Sequence, residues 1–254
     1  MCLIVFALNQ HKNYKLIFAA NRDEFYNRPS SPAKFWDEYP NLLAGKDLKE
    51  GGAWMGITKQ GTFAAITNYR NLHNLKLNAP SRGNIVKDFL VNDYSMESFS
   101  EKLVTTGSSY NGFNLLYGNI DRLFYFSNHN NLDQKIEIGI HGLSNNLLDT
   151  PWFKVVKSKN EFEQAIKKNN FSTENIFKIL SDTTLSPDNQ LPETGLDYER
   201  EKIISSIFIK TEEYGTRCST VVTVDKNNFV NFIERTFDKV SEDFSDVNFG
   251  FQIE

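Results

Sequence analysis

The sequence has only two cysteines, Cys2 and Cys218, among its 254 residues. Two thiols are too few for a scaffold held together by disulfide bonds. This low count fits a reducing compartment, and we therefore expect a cytoplasmic protein. No apolar run approaches the roughly 20 residues that a membrane-spanning helix needs. The opening apolar run, 2–8, has no positively charged flank and is followed by polar residues, which argues against a secretory signal.

Strong positive charge, clustered histidines and glycine-rich phosphate loops are also lacking. The net charge of −4 gives no basic footprint for nucleic acid. The glycine-rich stretch 51–56 has neither the Walker nor the Rossmann spacing, and Gly-x-Ser-x-Gly is absent. A zinc site is not expected because the four histidines are scattered without ligand spacing. These are His11, His73, His129 and His141. We therefore expect neither a resident cofactor nor a metal.

The residues that are present describe an ordinary globular protein, with 40% hydrophobic and 24% charged residues. The length predicts one large domain, 1–254, because no stretch has the composition of a linker. Phenylalanine is frequent, with 21 residues, which predicts a core or pocket walls rich in aromatic rings.

The hydrophobic pattern predicts strands, helices, strands, helices and strands, in that order. The first hairpin joins 2–8 to 15–20, and the polar residues 21–24 are expected to end its second strand. Further strands are predicted over 54–58, 62–67, 113–117, 123–127, 135–139, 216–225 and 229–237. Helices are predicted to follow Ser81 and Ser95, and Pro151 is expected in the first turn of another helix. Helical patterns extend over 162–168 and 176–180. A tight loop is expected over 141–145 and loose structure over 185–197.

The element order indicates the fold class. Because strict βαβ alternation is missing, a parallel doubly wound sheet is disfavoured. We expect an α+β protein with two mainly antiparallel sheets packed face to face and helices outside. In that arrangement the N-terminal strand is a central one.

Cys2 is the most informative residue, because it directly follows Met1. If Met1 is removed, one residue carries a thiol with a reference pKa of about 8.5 and an α-amine with one of about 7.7–8.0. A nucleophile and a base would then share one residue, as in N-terminal nucleophile hydrolases. The alternative is that Cys2 is a small apolar residue that begins an edge strand.

Charged residues follow the second predicted strand, where active sites are often built. Arg22 beside Cys2 would favour the thiolate. Asp23 or Glu24 could hold the α-amine through a charge-assisted hydrogen bond. Adjacent residues of a strand face opposite ways, so only one carboxylate easily shares the surroundings of Arg22, and spacing does not say which. The alternative is a solvated charged turn.

Two amides and a second arginine also lie at predicted strand ends. Asn68 and Asn145 could each donate an N–H to a developing oxyanion. Plain turn chemistry is the alternative for both asparagines. Arg217 could bind a substrate carboxylate or support the thiolate, and its alternative is a surface salt bridge.

Several motifs, taken together, resemble one family across nearly the whole chain. They are Met1-Cys2-Leu3-Ile4, Ala19-Ala20-Asn21-Arg22-Asp23-Glu24-Phe25-Tyr26, Arg28-Pro29, Ala44-Gly45-Lys46-Asp47, Gly51-Gly52-Ala53-Trp54, Thr67-Asn68-Tyr69-Arg70, Ser81-Arg82-Gly83, Gly142-Leu143-Ser144-Asn145, Asp149-Thr150-Pro151-Trp152 and Tyr214-Gly215-Thr216-Arg217. The chain thereby resembles the NRDE family, also called the transport-and-Golgi-organisation protein 2 family. It departs from the pattern at Cys218, where a small polar residue, often serine, is expected.

That family is similar, more distantly, to N-terminal nucleophile hydrolases of the penicillin V acylase and conjugated bile acid hydrolase type. The resemblance implies a four-layer αββα sandwich with Cys2 as nucleophile. It places 21–24 on an Arg-x-x-Asp segment, with a register uncertain by one: an ungapped match puts Asn21 on the arginine and Glu24 on the aspartate. Arg22 and Glu24 are therefore the expected residues, with Asp23 as an alternative. The resemblance implies that Asn68 and Asn145 are oxyanion donors and that Arg217 is the late arginine of the site.

The leading functional hypothesis is an N-terminal-cysteine hydrolase that acts on the amide or thioester of a small acyl substrate. The alternative is a non-catalytic protein of the same fold that binds or carries haem, acyl-CoA or lipid, since the family is linked to those processes. A structural or interaction protein in membrane traffic is a third hypothesis. In each case we expect no nucleic-acid partner and no membrane-spanning segment. The oligomeric state stays open.

Overall fold

The computed structural model describes residues 2–168, 171–239 and 243–254. The chain forms two compact units, each assembled from separate stretches. The first unit comprises Met1–Asn27, Ile138–Ser144 and Leu148–Gly250. The second comprises Arg28–Glu137, Asn145–Leu147 and Phe251–Glu254. The single domain 1–254 stays a prediction.

Strands dominate both units. They are β1 (Cys2–Leu8), β2 (Tyr14–Phe25), β3 (Ser30–Trp36), β4 (Tyr39–Asp47), β5 (Met55–Thr58), β6 (Thr62–Asn68), β7 (Phe113–Asn119), β8 (Arg122–Ser127), β9 (Leu132–Lys135), β10 (Gly139–Leu143), β11 (Tyr214–Asp225), β12 (Phe229–Phe237) and β13 (Phe244–Gln252). The α-helices are α1 (Gly83–Val91), α2 (Met96–Thr106), α3 (Phe153–Lys167), α4 (Thr173–Leu180) and α5 (Tyr198–Ile203).

The sheet of the first unit runs in the order β10-β1-β2-β11-β12-β13, and all its recorded pairings are antiparallel. Strand β1 therefore lies between β10 and β2, which confirms the predicted central strand and excludes the edge-strand alternative. Val5, Ala19 and Val221 pack with Phe162 of α3 and Ile176 of α4 in one buried cluster. Since side chains alternate along a strand, neighbouring residues such as Cys2 and Ile4 face away from these helices.

The sheet of the second unit runs β3-β4-β5-β6-β7-β8-β9, also antiparallel. Helices α1 and α2 cover one face through a buried aromatic cluster that includes Phe89, Phe99 and Tyr117. The predicted α+β class with two mainly antiparallel sheets is thus confirmed. Within the described residues, no helix is long and apolar enough to cross a membrane.

Five local predictions are wrong. Helix α3 begins at Phe153 with Trp152 as its N-cap, so Pro151 precedes the helix and does not lie in its first turn. Strand β2 does not end after Ala20, because β11 pairs with its polar end as far as Phe25 and satisfies the backbone there. A strand is predicted over 135–139 and a loop over 141–145. In the structure β9 ends at Lys135, and 139–143 form strand β10. Close packing, and not a turn, explains the glycine at position 142 of β10, because a Cβ there would lie 2.7 Å from Val155 Cγ1. Helix α1 has Arg82 as its N-cap, and the Ser81 carbonyl, not its hydroxyl, accepts from Asn84 N (3.1 Å).

Other predictions are confirmed. Ser95 caps α2 by accepting from Ser98 N, and this helix stops at Gly107. The hairpin of β11 and β12 has nearly the predicted bounds. Strands β3, β4 and β13 and helix α5 were not predicted.

Candidate functional site

Three side chains form a row across the sheet of the first unit. In register, Cys2 of β1 lies opposite Arg22 of β2, and Arg22 lies opposite Cys218 of β11. Directly opposite residues of an antiparallel ladder share one face of the sheet. Cys2 and Arg22 are each 8% exposed, so the row places a buried thiol beside a buried guanidinium.

The Cys2 thiol is held in its protonated form. Burial is the largest effect and raises its pKa, and the charge of the Asp23 carboxylate raises it further. The positive charge of the N-terminus, a hydrogen bond from the Asp23 backbone N–H and the charge of Arg22 lower the pKa but do not outweigh burial. Because the thiolate is the nucleophilic species, sulfur at this position needs a base that takes its proton before it can attack.

Asp23 and Glu24 occupy different surroundings. Asp23 is 2% exposed and its Oδ1 accepts from the hydroxyl of Thr216 at 2.7 Å. Glu24 shares the face of Arg22, and its Oε2 lies 4.0 Å from Arg22 Nη2, on a side chain that is partly exposed. Asp23 is therefore the carboxylate whose charge acts on the Cys2 thiol, whereas Glu24 is the ion-pair partner of Arg22.

Asn21 lies on the opposite face from Cys2. Its Nδ2 donates to the carbonyls of Leu180 (2.8 Å) and Ile207 (2.9 Å), and its Oδ1 accepts from Ser219 Oγ. An amide bound in this way belongs to the layer of helices and loops. The cationic side chain on the face of Cys2 is that of Arg22. Which residue takes the arginine position of the Arg-x-x-Asp segment stays a prediction.

Arg217 is the extra residue of a β-bulge. The pairing shifts between Thr216, opposite Asp23, and Cys218, opposite Arg22. Arg217 is half-buried, and its Nη1 donates to the Phe25 carbonyl at 2.9 Å. Burial lowers its pKa, and the charge of Arg22 adds to that effect, so the two guanidinium groups act on each other.

Asn68 and Asn145 come together within the second unit. Asn145 is fully buried, and its Nδ2 donates to the main-chain carbonyl of Asn68, at the end of β6, at 2.9 Å. The backbone N–H of Arg70 in turn donates to the Asn145 carbonyl at 2.8 Å. One of the two N–H bonds of the Asn145 amide thus serves to hold the end of β6.

Sequence reasoning missed three buried polar residues of the first unit. Ser144 Oγ donates to the Cys2 carbonyl at 3.1 Å. Glu234, on β12, accepts from the Cys218 thiol at 3.7 Å. Lys154, in the first turn of α3, is 2% exposed. Each role depends on a neighbour that is distant in the sequence, so no local pattern signals it.

Cys218 is not placed to form a disulfide with Cys2. Strand β2 lies between their strands, so their Cα atoms are roughly 10 Å apart at the usual strand spacing. A disulfide requires a Cα separation of about 4.4–6.8 Å. Burial also raises the pKa of the Cys218 thiol, and the Glu234 carboxylate adds to the effect.

Comparison with known proteins identifies close relatives. The family model described as "Transport and Golgi organisation 2" matches residues 1–239. The "Transport and Golgi organization protein 2 homolog" of Bos taurus is 37% identical over 257 residues, and the alignment covers 93% of each chain. The homologue from Mus musculus is 35% identical with the same coverage.

A solved structure shares the fold. The C2A mutant of conjugated bile acid hydrolase from Clostridium perfringens matches with a TM-score of 0.53, over 100% of this chain and 97% of the other, at 10% sequence identity. At that identity the likeness shows the fold alone. It confirms the predicted α+β fold class with two mainly antiparallel sheets.

Proposed function

The chain belongs to the Transport and Golgi organisation 2 family, and we propose that it is an N-terminal-cysteine hydrolase that cleaves the amide or thioester bond of a small acyl substrate. The single observation that carries the proposal is the arrangement at the start of β1. There the Cys2 thiol lies in register with Arg22 and within the field of the buried Asp23 carboxylate. A fold shared with a hydrolase supports it.

The proposed reaction begins with removal of Met1, a residue that lies outside the described part of the chain. The α-amine of Cys2 takes the thiol proton, and Sγ attacks the carbonyl carbon of the substrate. When the C–N or C–S bond breaks, the resulting ammonium returns the proton to the leaving group. Water, deprotonated by the same amine, then attacks the thioester of the acyl-enzyme, which releases the acid and restores the thiol.

The neighbouring residues have separate roles in this scheme. Asp23 accepts an N–H from the α-amine and so orients it. Arg22, whose Nη1 is buried and has no hydrogen-bond partner among the described residues, stabilises the negative charge that develops on sulfur. Glu24 holds Arg22. The roles of Asn68 and Asn145 as oxyanion donors and of Arg217 at the substrate rest on the family resemblance.

The test uses an activated acyl ester, p-nitrophenyl butyrate, because it reports acylation without knowledge of the natural substrate. Intact mass is recorded first to establish whether Met1 is absent. We expect a burst of p-nitrophenol and one butyryl adduct on Cys2, followed by slower turnover. Cys2→Ala should abolish both while the far-ultraviolet circular dichroism stays unchanged.

The matched control is Cys218→Ser, which removes the other thiol and should keep the burst. Two results contradict the proposal: natively expressed protein that retains Met1, or a burst that survives in Cys2→Ala. Retained Met1 would remove the base and favour the alternative of a binding protein.

A further inference from the structure

Cys2 becomes the first residue of the chain when Met1 is removed, and chain ends are poorly ordered unless contacts hold them in place. On the side of β2, Cys2 is held by its pairing with Arg22. On the side of β10, the backbone pairing of β1 ends with Ile4 opposite Leu143. The pairing with β10 therefore stops short of the residue that has to react.

The Ser144 side chain contacts β1 beyond this last backbone pair. Its Oγ donates to the main-chain carbonyl of Cys2 at 3.1 Å. Ser144 is 2% exposed and Cys2 is 8% exposed, so the bond lies away from solvent. Loss of a hydrogen bond between buried groups costs more than loss of an exposed one, because water does not readily replace the missing donor.

Ser144 is itself held by contacts that do not involve Cys2. It directly follows Leu143, the last residue of β10. The loop that begins at Ser144 is closed by Asp149, whose backbone N–H donates to the Gly142 carbonyl and whose Oδ1 accepts from the Gly142 N–H. A hydroxyl fixed in this way can support the start of β1.

We propose that Ser144 is a positioning residue that holds the reacting residue in place through the carbonyl of Cys2. The Cα of Cys2 bears the thiol, the α-amine and this carbonyl, so a fixed carbonyl restrains the orientation of the other two groups. The role rests on the proposed function. It goes beyond that function by adding a residue that acts through the main chain of Cys2.

This role predicts two effects of opposite direction when the Ser144 hydroxyl is removed. A buried thiol is alkylated when the structure around it opens locally, so a less firmly held Cys2 should react faster with a small alkylating reagent. Acylation by a substrate requires the closed and aligned geometry, so it should become slower. A hydroxyl that only stabilised the fold would leave acylation of the folded protein unchanged.

The first measurement is the rate of iodoacetamide alkylation, without denaturant, in full-length Cys218→Ser protein, where Cys2 is the sole thiol. We expect Ser144→Ala to raise this rate about tenfold, since one buried hydrogen bond changes a local opening equilibrium by that order. Ser144→Thr keeps the hydroxyl and should stay close to the parent rate. Intact mass ensures that all variants are compared with the same N-terminus.

The matched control is Ser206→Ala in the same Cys218→Ser protein. Ser206 is also 2% exposed, and its hydroxyl also donates to a main-chain carbonyl, that of Phe208. We expect this variant to alkylate at nearly the parent rate, because Ser206 does not hold Cys2. An alkylation rate in Ser144→Ala that is no higher than in Ser206→Ala overturns the inference.

The second measurement is the p-nitrophenol burst with p-nitrophenyl butyrate. Ser144→Ala should slow the burst about tenfold at saturating ester and leave the half-saturating ester concentration unchanged, because alignment is lost and binding is not. An unchanged burst rate in this variant also overturns the inference. If the parent protein shows no burst, the proposed hydrolase fails, and the alkylation rates alone then support or overturn the role of Ser144.

Discussion

At the scale of single residues, Asp149 closes the loop that carries Asn145. Its backbone N–H donates to the Gly142 carbonyl at 2.8 Å, and its Oδ1 accepts from Gly142 N at 2.9 Å. Its carboxylate also contacts His141 Nδ1 (2.7 Å) and Lys159 Nζ (2.5 Å). Burial alone would raise its pKa, but the hydrogen bonds from His141 and Lys159 outweigh it and lower the pKa to about 2.

This shift predicts how the stability of an Asp149→Asn variant depends on pH. Because the pKa of Asp149 is lower in the folded than in the unfolded state, the ionised carboxylate stabilises the fold fully at pH values above the unfolded-state pKa of about 3.9. This contribution is lost as the pH falls toward 2. Since the side chain is one-third exposed, we expect a loss of about 1–2 kcal/mol at pH 7. Urea unfolding at a series of pH values measures it, with the exposed Asp93→Asn as control. A deficit that persists undiminished to pH 2 would contradict this account.

The residues of the site were only partly predictable. Polar side chains at strand ends, together with the family resemblance, indicate Cys2, Arg22 and the acidic pair. The different surroundings of Asp23 and Glu24 became visible only with the register of β2 against β11, because alternation alone allows either carboxylate to share the face of Arg22. The burial of Lys154 could not be predicted, since a lysine in the first turn of a helix is ordinarily a solvated residue.

At the scale of elements, β2 organises the site by pairing with β1 on one side and β11 on the other. The β1–β2 hairpin follows from the sequence, because its turn is local. The β2–β11 pairing does not, because its strands are far apart in the chain. Strand β3 was missed since Pro32 suggests a loop, but proline is tolerated in a strand at the end of a sheet, where β3 lies.

The position of β2 predicts that mild oxidation leaves Cys2 and Cys218 unlinked. Diamide should cause no loss of two hydrogen atoms in the intact mass of the unmodified chain. The matched control is Thr236→Cys, which places a thiol directly opposite Cys218 on adjacent strand β12. Opposite residues of an antiparallel pair have Cα atoms about 4.5–5.5 Å apart, so this variant should form the disulfide. A Cys2–Cys218 crosslink in peptide mapping would refute the strand order described here.

At the scale of the whole molecule, neither unit is a continuous stretch of chain. Each is assembled from three separate segments, so folding of one unit fixes the ends of segments that belong to the other. Domains that fold alone are usually joined by few crossings in exposed linkers. The connectivity therefore favours the single cooperative domain that the sequence predicts.

The tryptophans allow this cooperativity to be measured in each unit separately. Trp152 belongs to the first unit, and Trp36 and Trp54 belong to the second. Fluorescence of Trp36→Phe/Trp54→Phe reports the first unit, and that of Trp152→Phe reports the second. We expect both to unfold in urea at one midpoint, apart from any cost of the reporter substitutions themselves. Phe162→Leu, placed in the buried cluster of α3, should cost about 1–2 kcal/mol and shift both reporters equally, because a cooperative domain loses stability as a whole. A shift confined to the Trp152 signal would instead show two independently stable domains.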